Sequence, residues 1–187
     1  DPLPAGVVAV AFEVWLAGAF HEDGLADAAE GFGGDSRARR LEIMRDSRIG
    51  TYGASALALF LMARIAVIAA LSDPVTVALA LAAAGAASRA ALVWPMTLVP
   101  PARDDGMSTF IGVPTSRERA VVSAVAAVLV LVSVGPGATL IVLAAAAVGA
   151  GAVSAVARKS FGGQTGDLLG ATQQVAYVLV LLAISAK

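Results

Sequence analysis

Apolar residues occupy six stretches of the chain, 6–20, 54–71, 75–98, 120–134, 138–157 and 168–186, and the connections between them alternate in kind. An α-helix rises about 1.5 Å per residue, so about 20 apolar residues cross the roughly 30 Å hydrocarbon core of a bilayer. The second, third, fifth and sixth stretches meet that length. The first and fourth are shorter and need flanking polar residues to complete a crossing. The pattern predicts an all-α, polytopic integral membrane helix bundle of about six transmembrane helices. Ser72-Asp73-Pro74 and Gly135-Pro136-Gly137 read as tight turns, whereas 21–53, 99–119 and 158–167 are long and polar. Strict alternation puts the three long connections on one face.

Charge gives the same division. Of 13 Lys and Arg residues, ten lie in the long connections: Arg37, Arg39, Arg40, Arg45, Arg48, Arg103, Arg117, Arg119, Arg158 and Lys159. The short turns carry none, and Lys187 lies at the opposite end. Lys and Arg accumulate on the cytoplasmic side of membrane proteins. The expectation is a multi-pass protein of the cell (inner) membrane with its polar loops facing the cytoplasm.

Composition sharpens this. Of 187 residues, 58% are hydrophobic and 14% charged, against roughly half and a quarter in soluble domains. Cysteine is absent, which removes disulfides and thiolate metal sites. A formal net charge of −1 gives no sign of a nucleic-acid partner. The many Ala and Gly residues let helices approach closely in lipid and permit a homodimer. Residues 1–187 read as a single membrane-embedded domain. Asp1-Pro2-Leu3-Pro4 resembles a loop entering a helix, so a natural N-terminal segment is expected to precede it.

Candidate chemistry concentrates in 21–53. In the stretch from His21 to Gly31, Asp23, Asp27 and Glu30 fall at i, i+4 and i+7, one face if the stretch is helical. Like charges on one face repel unless a cation neutralises them. Carboxylates without Cys suit a hard cation, Mg²⁺ above all, which shares its remaining sites with substrate phosphates. The competing reading is a solvated acidic face at a membrane boundary. His21 is a candidate base, ligand or interfacial donor.

From Leu41 to Gly53, Glu42 and Asp46 are again i, i+4. Leu41, Ile43, Met44 and Ile49 predict a short amphipathic interfacial helix. Arg45 and Arg48 could clamp an anion or merely pair with these acids. Gly162-Gly163-Gln164-Thr165-Gly166-Asp167 opens the last apolar segment. Its backbone N–H groups could face an anion, with Asp167 as a ligand, or Asp167 could simply cap the helix. Gln173 and Gln174, one to two turns further in, could line a cavity. Arg64 and Arg89 lie inside apolar segments, where a lone charge costs from roughly 3 to over 10 kcal/mol. Glu13 is the nearest counter-charge. Trp15 and Trp94 read as interfacial anchors.

At these residues the chain resembles the adenosylcobinamide-GDP ribazoletransferase family, also called cobalamin (5′-phosphate) synthases. That family's pattern runs roughly H-x-D-G-L-A-D-x-x-D-G and then L-E-I-M-[KR]-D-S-R-x-G-x-x-G. Here it is matched by His21, Asp23 to Asp27 and Gly31, then by Leu41 to Arg48, Gly50 and Gly53. Glu30 stands where Asp is usual. Arg89, the Ala102-Arg103…Gly106 segment and Gly163 to Asp167 also resemble family features.

The resemblance implies that adenosylcobinamide-GDP reacts with α-ribazole, or its 5′-phosphate, to give adenosylcobalamin, or its 5′-phosphate, and GMP. Mg²⁺ is the implied cofactor. On this reading Asp23, Asp27, Glu30 and Asp46 hold metal, and Asp27 or His21 accepts the ribazole proton. Arg48, Arg64, Arg89, Arg103 and Asp167 contact substrate, while Glu42 supports the ligands from behind. Two other readings fit the composition: a CDP-alcohol phosphotransferase-like membrane enzyme, whose D-G-x-x-A-R spacing is absent, and a cation transporter, which would need charge along a path through the bilayer.

Overall fold

The computed structural model describes residues 1–46, 48–106 and 110–186; Ser47 of the second motif and Lys187 lie outside them. Helix α1 (Pro2–Leu16) starts with Asp1 as cap and proline at its first position, where the missing N–H costs nothing. Gly18 (φ 62°) and Ala19 (φ 55°) follow in the left-handed region. Few residues other than glycine adopt it, and here it turns the chain sharply. Helix α2 (Phe20–Glu30) departs at 90° to α1.

A single helical turn, Gly31–Gly33, leads to α3 (Arg37–Ile43), capped by the Ser36 hydroxyl. Then come α4 (Thr51–Leu71), α5 (Pro74–Ala90), α6 (Val93–Leu98), α7 (Ser116–Val134) and α8 (Pro136–Val156). A wider π-type turn, Ala157–Phe161, precedes α9 (Gly166–Ser185). The described residues contain no strand, and one isolated bridge joins Pro101 to Gln164.

The chain is a helical membrane bundle, against an expectation of about six crossings. Among the described residues, four segments are long and apolar enough alone: Thr51–Leu71, Pro74–Leu98, Pro136–Phe161 and Gly166–Ser185. The first stretch ends at Leu16, and the bend at Gly18 and Ala19 divides it from α2. Together α1 and α2 have the length of a fifth span, but at right angles both cannot run along one crossing. With 11 residues, α2 is about 16 Å long and does not cross by itself. Helix α7 fails that test alone because its first turn carries Arg117, Glu118 and Arg119, yet its 19 residues run antiparallel to α8 from the tight turn at Gly135.

The expected interfacial helix is also displaced. Helix α3 ends at Ile43, so Glu42 and Asp46 do not share a helical face. Glu42 pairs with Arg39 at 2.8 Å, and Asp46 pairs with Arg48 at 2.6 Å.

Helix α9 is the central post, packed by α2, α4, α5 and α8. Small residues make the contacts close. Ala80, Ala83, Ala84 and Ala87 of α5 meet Val142 and Ala146 of α8 and Ala176 and Val180 of α9. A Cβ on Gly149 would sit 2.8 Å from the Ala176 Cα. In lipid such close packing supplies much of the association energy. A second cluster, with Leu25, Ala28, Met44, Phe161 and Leu168, fastens α2 and the loops to the base of α9.

Candidate active site

The crossing of α2 and α9 is set by two glycines. A Cβ on Gly24 would meet the Asp167 carbonyl oxygen at 2.9 Å and the Gly170 Cα at 3.1 Å. A Cβ on Gly170 would meet the Gly24 Cα at 3.0 Å. Absence of both side chains brings the acidic face of α2 onto the first turn of α9. Asp27 then feels the charges of Asp23, Asp167, Glu30 and Arg103. Three groups predicted from separate motifs, Asp23/Asp27, Arg103 and Asp167, are thereby assembled.

Asp167 is held by Arg103 at 3.0 Å and accepts from the Thr165 hydroxyl at 3.3 Å. Thr165, not Asp167, caps α9: its oxygen accepts from the Leu168 N–H at 3.2 Å. Asp167 is therefore free of capping duty. The segment leading to Arg103 is fixed by two bonds of 2.8 Å, Gln164 N–H to the Pro100 carbonyl and Ala102 N–H to the Gln164 carbonyl. Arg37 donates to the Ala102 carbonyl at 3.2 Å, and Arg40 to Gly34 and Ser160 carbonyls. These arginines of the charged loop staple backbone.

Beside the acids lies a cavity of about 270 Å³ lined by Arg45, Arg103, Asp105, Gln164, Thr165 and Asp167. Arg45 and Asp105 pair across it at 2.6 Å. The Gln164 Oε1 is buried and without a partner, an acceptor available to a ligand. Sequence reading missed Gln164 as a contact. Its one signal was its place between the glycines of the last loop.

Electrostatics mark Asp27 out. Burial pushes its carboxyl up to about 6, and the carboxylates of Asp23, Asp167 and Glu30 add to this while Arg103 opposes it. A carboxyl so crowded by others favours a nearby cation. Among the described residues, no group of three or more acidic or His side chains converges tightly enough to hold a metal unaided. Mg²⁺ commonly takes only one or two carboxylates and completes its sphere with water and phosphate oxygens. The donor set fits that mode.

Other candidates have other partners. Glu30 Oε1 accepts from the Gly50 N–H at 2.8 Å and the Gly53 N–H at 2.6 Å. It caps α4, whose own cap position, Gly50, has no side chain. Asp46 is held down to about 2 by hydrogen bonds from Arg48, and the Arg48 side chain is 87% exposed.

Arg64 is engaged within the protein. It pairs with Glu22 at 2.7 Å and Glu13 at 2.9 Å, the counter-charge foreseen, and lies 4.9 Å over the Tyr177 ring. Tyr177 donates to Glu13 at 2.6 Å and Gln174 to Glu22 at 3.0 Å. Arg89 and His21 line the same small interior cavity, of about 30 Å³. Glu22 went unnoticed in the sequence because its neighbours Asp23 and Asp27 dominate the other face of α2.

Taken together, fold and site define a polytopic α-helical membrane protein with a charged pocket at the start of α9. The chain belongs to the cobalamin-5-phosphate synthase family, whose model matches residues 1–185. It is 45% identical over 186 residues to the adenosylcobinamide-GDP ribazoletransferase of Bradyrhizobium diazoefficiens, covering 99% of this chain and 72% of that protein. Identity to the protein of the same description from Mesorhizobium japonicum is 47% over 183 residues, 97% of this chain and 70% of the relative. The Azorhizobium caulinodans counterpart is 45% identical over 97% of this chain and 72% of its own length. No solved structure matches.

Proposed function

We propose that this chain is an adenosylcobinamide-GDP ribazoletransferase, joining adenosylcobinamide-GDP to α-ribazole or its 5′-phosphate with release of GMP. The observation that carries the reading is the Gly24–Gly170 crossing, which sets Asp23 and Asp27 against Asp167 and Arg103. Membership of the family and the names of its relatives supply the substrates.

In the reaction the ribazole 3′-hydroxyl oxygen attacks the phosphorus attached to cobinamide. The new P–O bond forms as the bond to the GMP phosphate breaks. Asp27, with its raised pKa, is placed to take the hydroxyl proton, as a general base works best with a pKa near the ambient pH. His21, turned toward the interior cavity, is the less suited of the two. Arg103, and Arg48 from the exposed loop, pair with phosphate oxygens. Asp23 and Asp167 would hold Mg²⁺, which would neutralise charge on the pyrophosphate and the departing GMP. Arg89 and Arg64 act from behind, through α2.

We assign the enzyme to the cell inner membrane with this pocket toward the cytoplasm, a reading supported by the ten basic residues of the long loops. GMP release by protein in liposomes, with and without Mg²⁺, tests the proposal. Asp27→Asn should insert and fold yet release no GMP; wild-type turnover in that variant refutes its role.

A further inference from the structure

A larger cavity lies away from the acids, on the flank of the bundle. It is a groove of about 700 Å³ between α6 and the end of α8, within the range of pockets that enclose whole ligands. Trp94 and Leu98 form one wall and Ala150 and Gly151 the other, with Arg158 and Lys159 at the polar end. The groove is open because α8 presents only small side chains here; a Cβ on Gly151 would meet nothing within 4 Å.

The basic end is set by the π-type turn Ala157–Phe161, which places Arg158 and Lys159 just past α8. Such turns are frequent at functional sites. Arg158 donates to the Leu98 carbonyl and so ties the two walls together. Lys159 is exposed, and among the described residues it makes no hydrogen bond or ion pair.

We propose that this groove binds an anionic phospholipid, its acyl chain along α6 and α8 and its phosphate at Lys159 and Arg158. Two features select this occupant. The walls are apolar and belong to two of the membrane-crossing segments, so the neighbouring phase is hydrocarbon. The polar end carries two cations and no acid, and basic pockets between membrane helices attract anionic headgroups. A second copy of the chain is a poor match. A two-fold contact sets like surface on like and would bring the two basic ends toward each other.

The test uses Trp94 as reporter. In Trp15→Phe protein, Trp94 is the sole tryptophan. The protein is placed in phosphatidylcholine vesicles containing a small fraction of bromine-labelled phosphatidylglycerol or phosphatidylcholine. Bromine quenches tryptophan only in contact. At equal mole fraction the anionic lipid should be favoured at least about fivefold, the effect of one basic side chain near an anionic headgroup. Lys159→Glu should bring the preference near unity, and Gly151→Leu should weaken quenching by both lipids. Should Gly151→Leu fail to fold, the exposed Lys159→Glu still decides the matter. Equal quenching by the two lipids overturns the proposal. So does loss of the preference in millimolar inorganic phosphate, which makes the cations a free-phosphate site. Absence of quenching by either lipid also overturns it, since protein then covers the groove.

Discussion

Replacing Gly24 by alanine adds one methyl group where α2 crosses α9, and two opposing effects follow. Alanine in a helix interior is favoured over glycine by about 1 kcal/mol. The new Cβ would lie 2.9 Å from the Asp167 carbonyl oxygen and 3.1 Å from the Gly170 Cα, both backbone atoms that cannot rotate away. Restoring ordinary contact, 3.4 Å or more, pushes the helices apart by about half an ångström. Overpacking of this kind costs about 1–3 kcal/mol. The net loss of stability is therefore small, between about 0 and 2 kcal/mol. Activity responds more steeply, because Asp27 and Asp167 stand on opposite sides of the crossing. A misplacement of about 1 Å can cost about 100-fold in rate, so half of that should lower GMP release about tenfold. The assays are the thermal midpoint in detergent and GMP release in liposomes. Gly151→Ala, with open space around its Cβ, is the control. Wild-type turnover in Gly24→Ala, or equal losses in both variants, refutes the claim that this contact sets the site.

Further expectations concern charge. Arg64→Met leaves Glu13 and Glu22 without their cation, and breaking such a buried pair costs about 3–5 kcal/mol; the drop in thermal midpoint should be partly recovered in Arg64→Met/Glu22→Gln. Because the Asp27 carboxyl is raised to about 6, it is protonated below that pH and cannot take the hydroxyl proton. GMP release at saturating Mg²⁺ should fall about tenfold per pH unit below 6 and stay flat above 7. Glu30→Gln keeps the shape of the α4 cap but loses its charge near the helix N-terminus, so stability should fall by about 0.5–1 kcal/mol with turnover largely retained. Arg48→Ala should leave stability within about 1 kcal/mol, since its pair with Asp46 is exposed, while raising KM for adenosylcobinamide-GDP.

Several of these groups were legible in the sequence because they obey local periodicity. Asp23, Asp27 and Glu30 do share a helix, α2, and the long apolar runs do become α4, α5, α8 and α9. What escaped depends on contacts between distant segments. The hydropathy of 6–20 continues past Leu16, so the bend at Gly18 and Ala19 left no mark in the pattern. Glu30 satisfies the spacing of a metal ligand, and local spacing did not show that one of its two carboxylate oxygens, Oε1, accepts from the Gly50 and Gly53 amides. Glu42 and Asp46 satisfy the i, i+4 rule on paper, but α3 ends between them. The Gly24–Gly170 contact is invisible to any local rule, since each glycine is informative only when the other is known.

That same contact also imposes an order on the protein's biogenesis. Its two halves are separated by almost the whole chain: Gln174 reaches Glu22 across 152 residues and Tyr177 reaches Glu13 across 164. During synthesis α2 meets α4 first, through the Glu22–Arg64 pair, and waits for its contact with α9 until that helix enters the membrane. Until then the carboxylates of α2 have no Asp167 or Arg103 arrangement to complete the pocket. A ribosome that stops before α9 leaves an inert and poorly packed fragment, so competence for chemistry coincides with the arrival of α9.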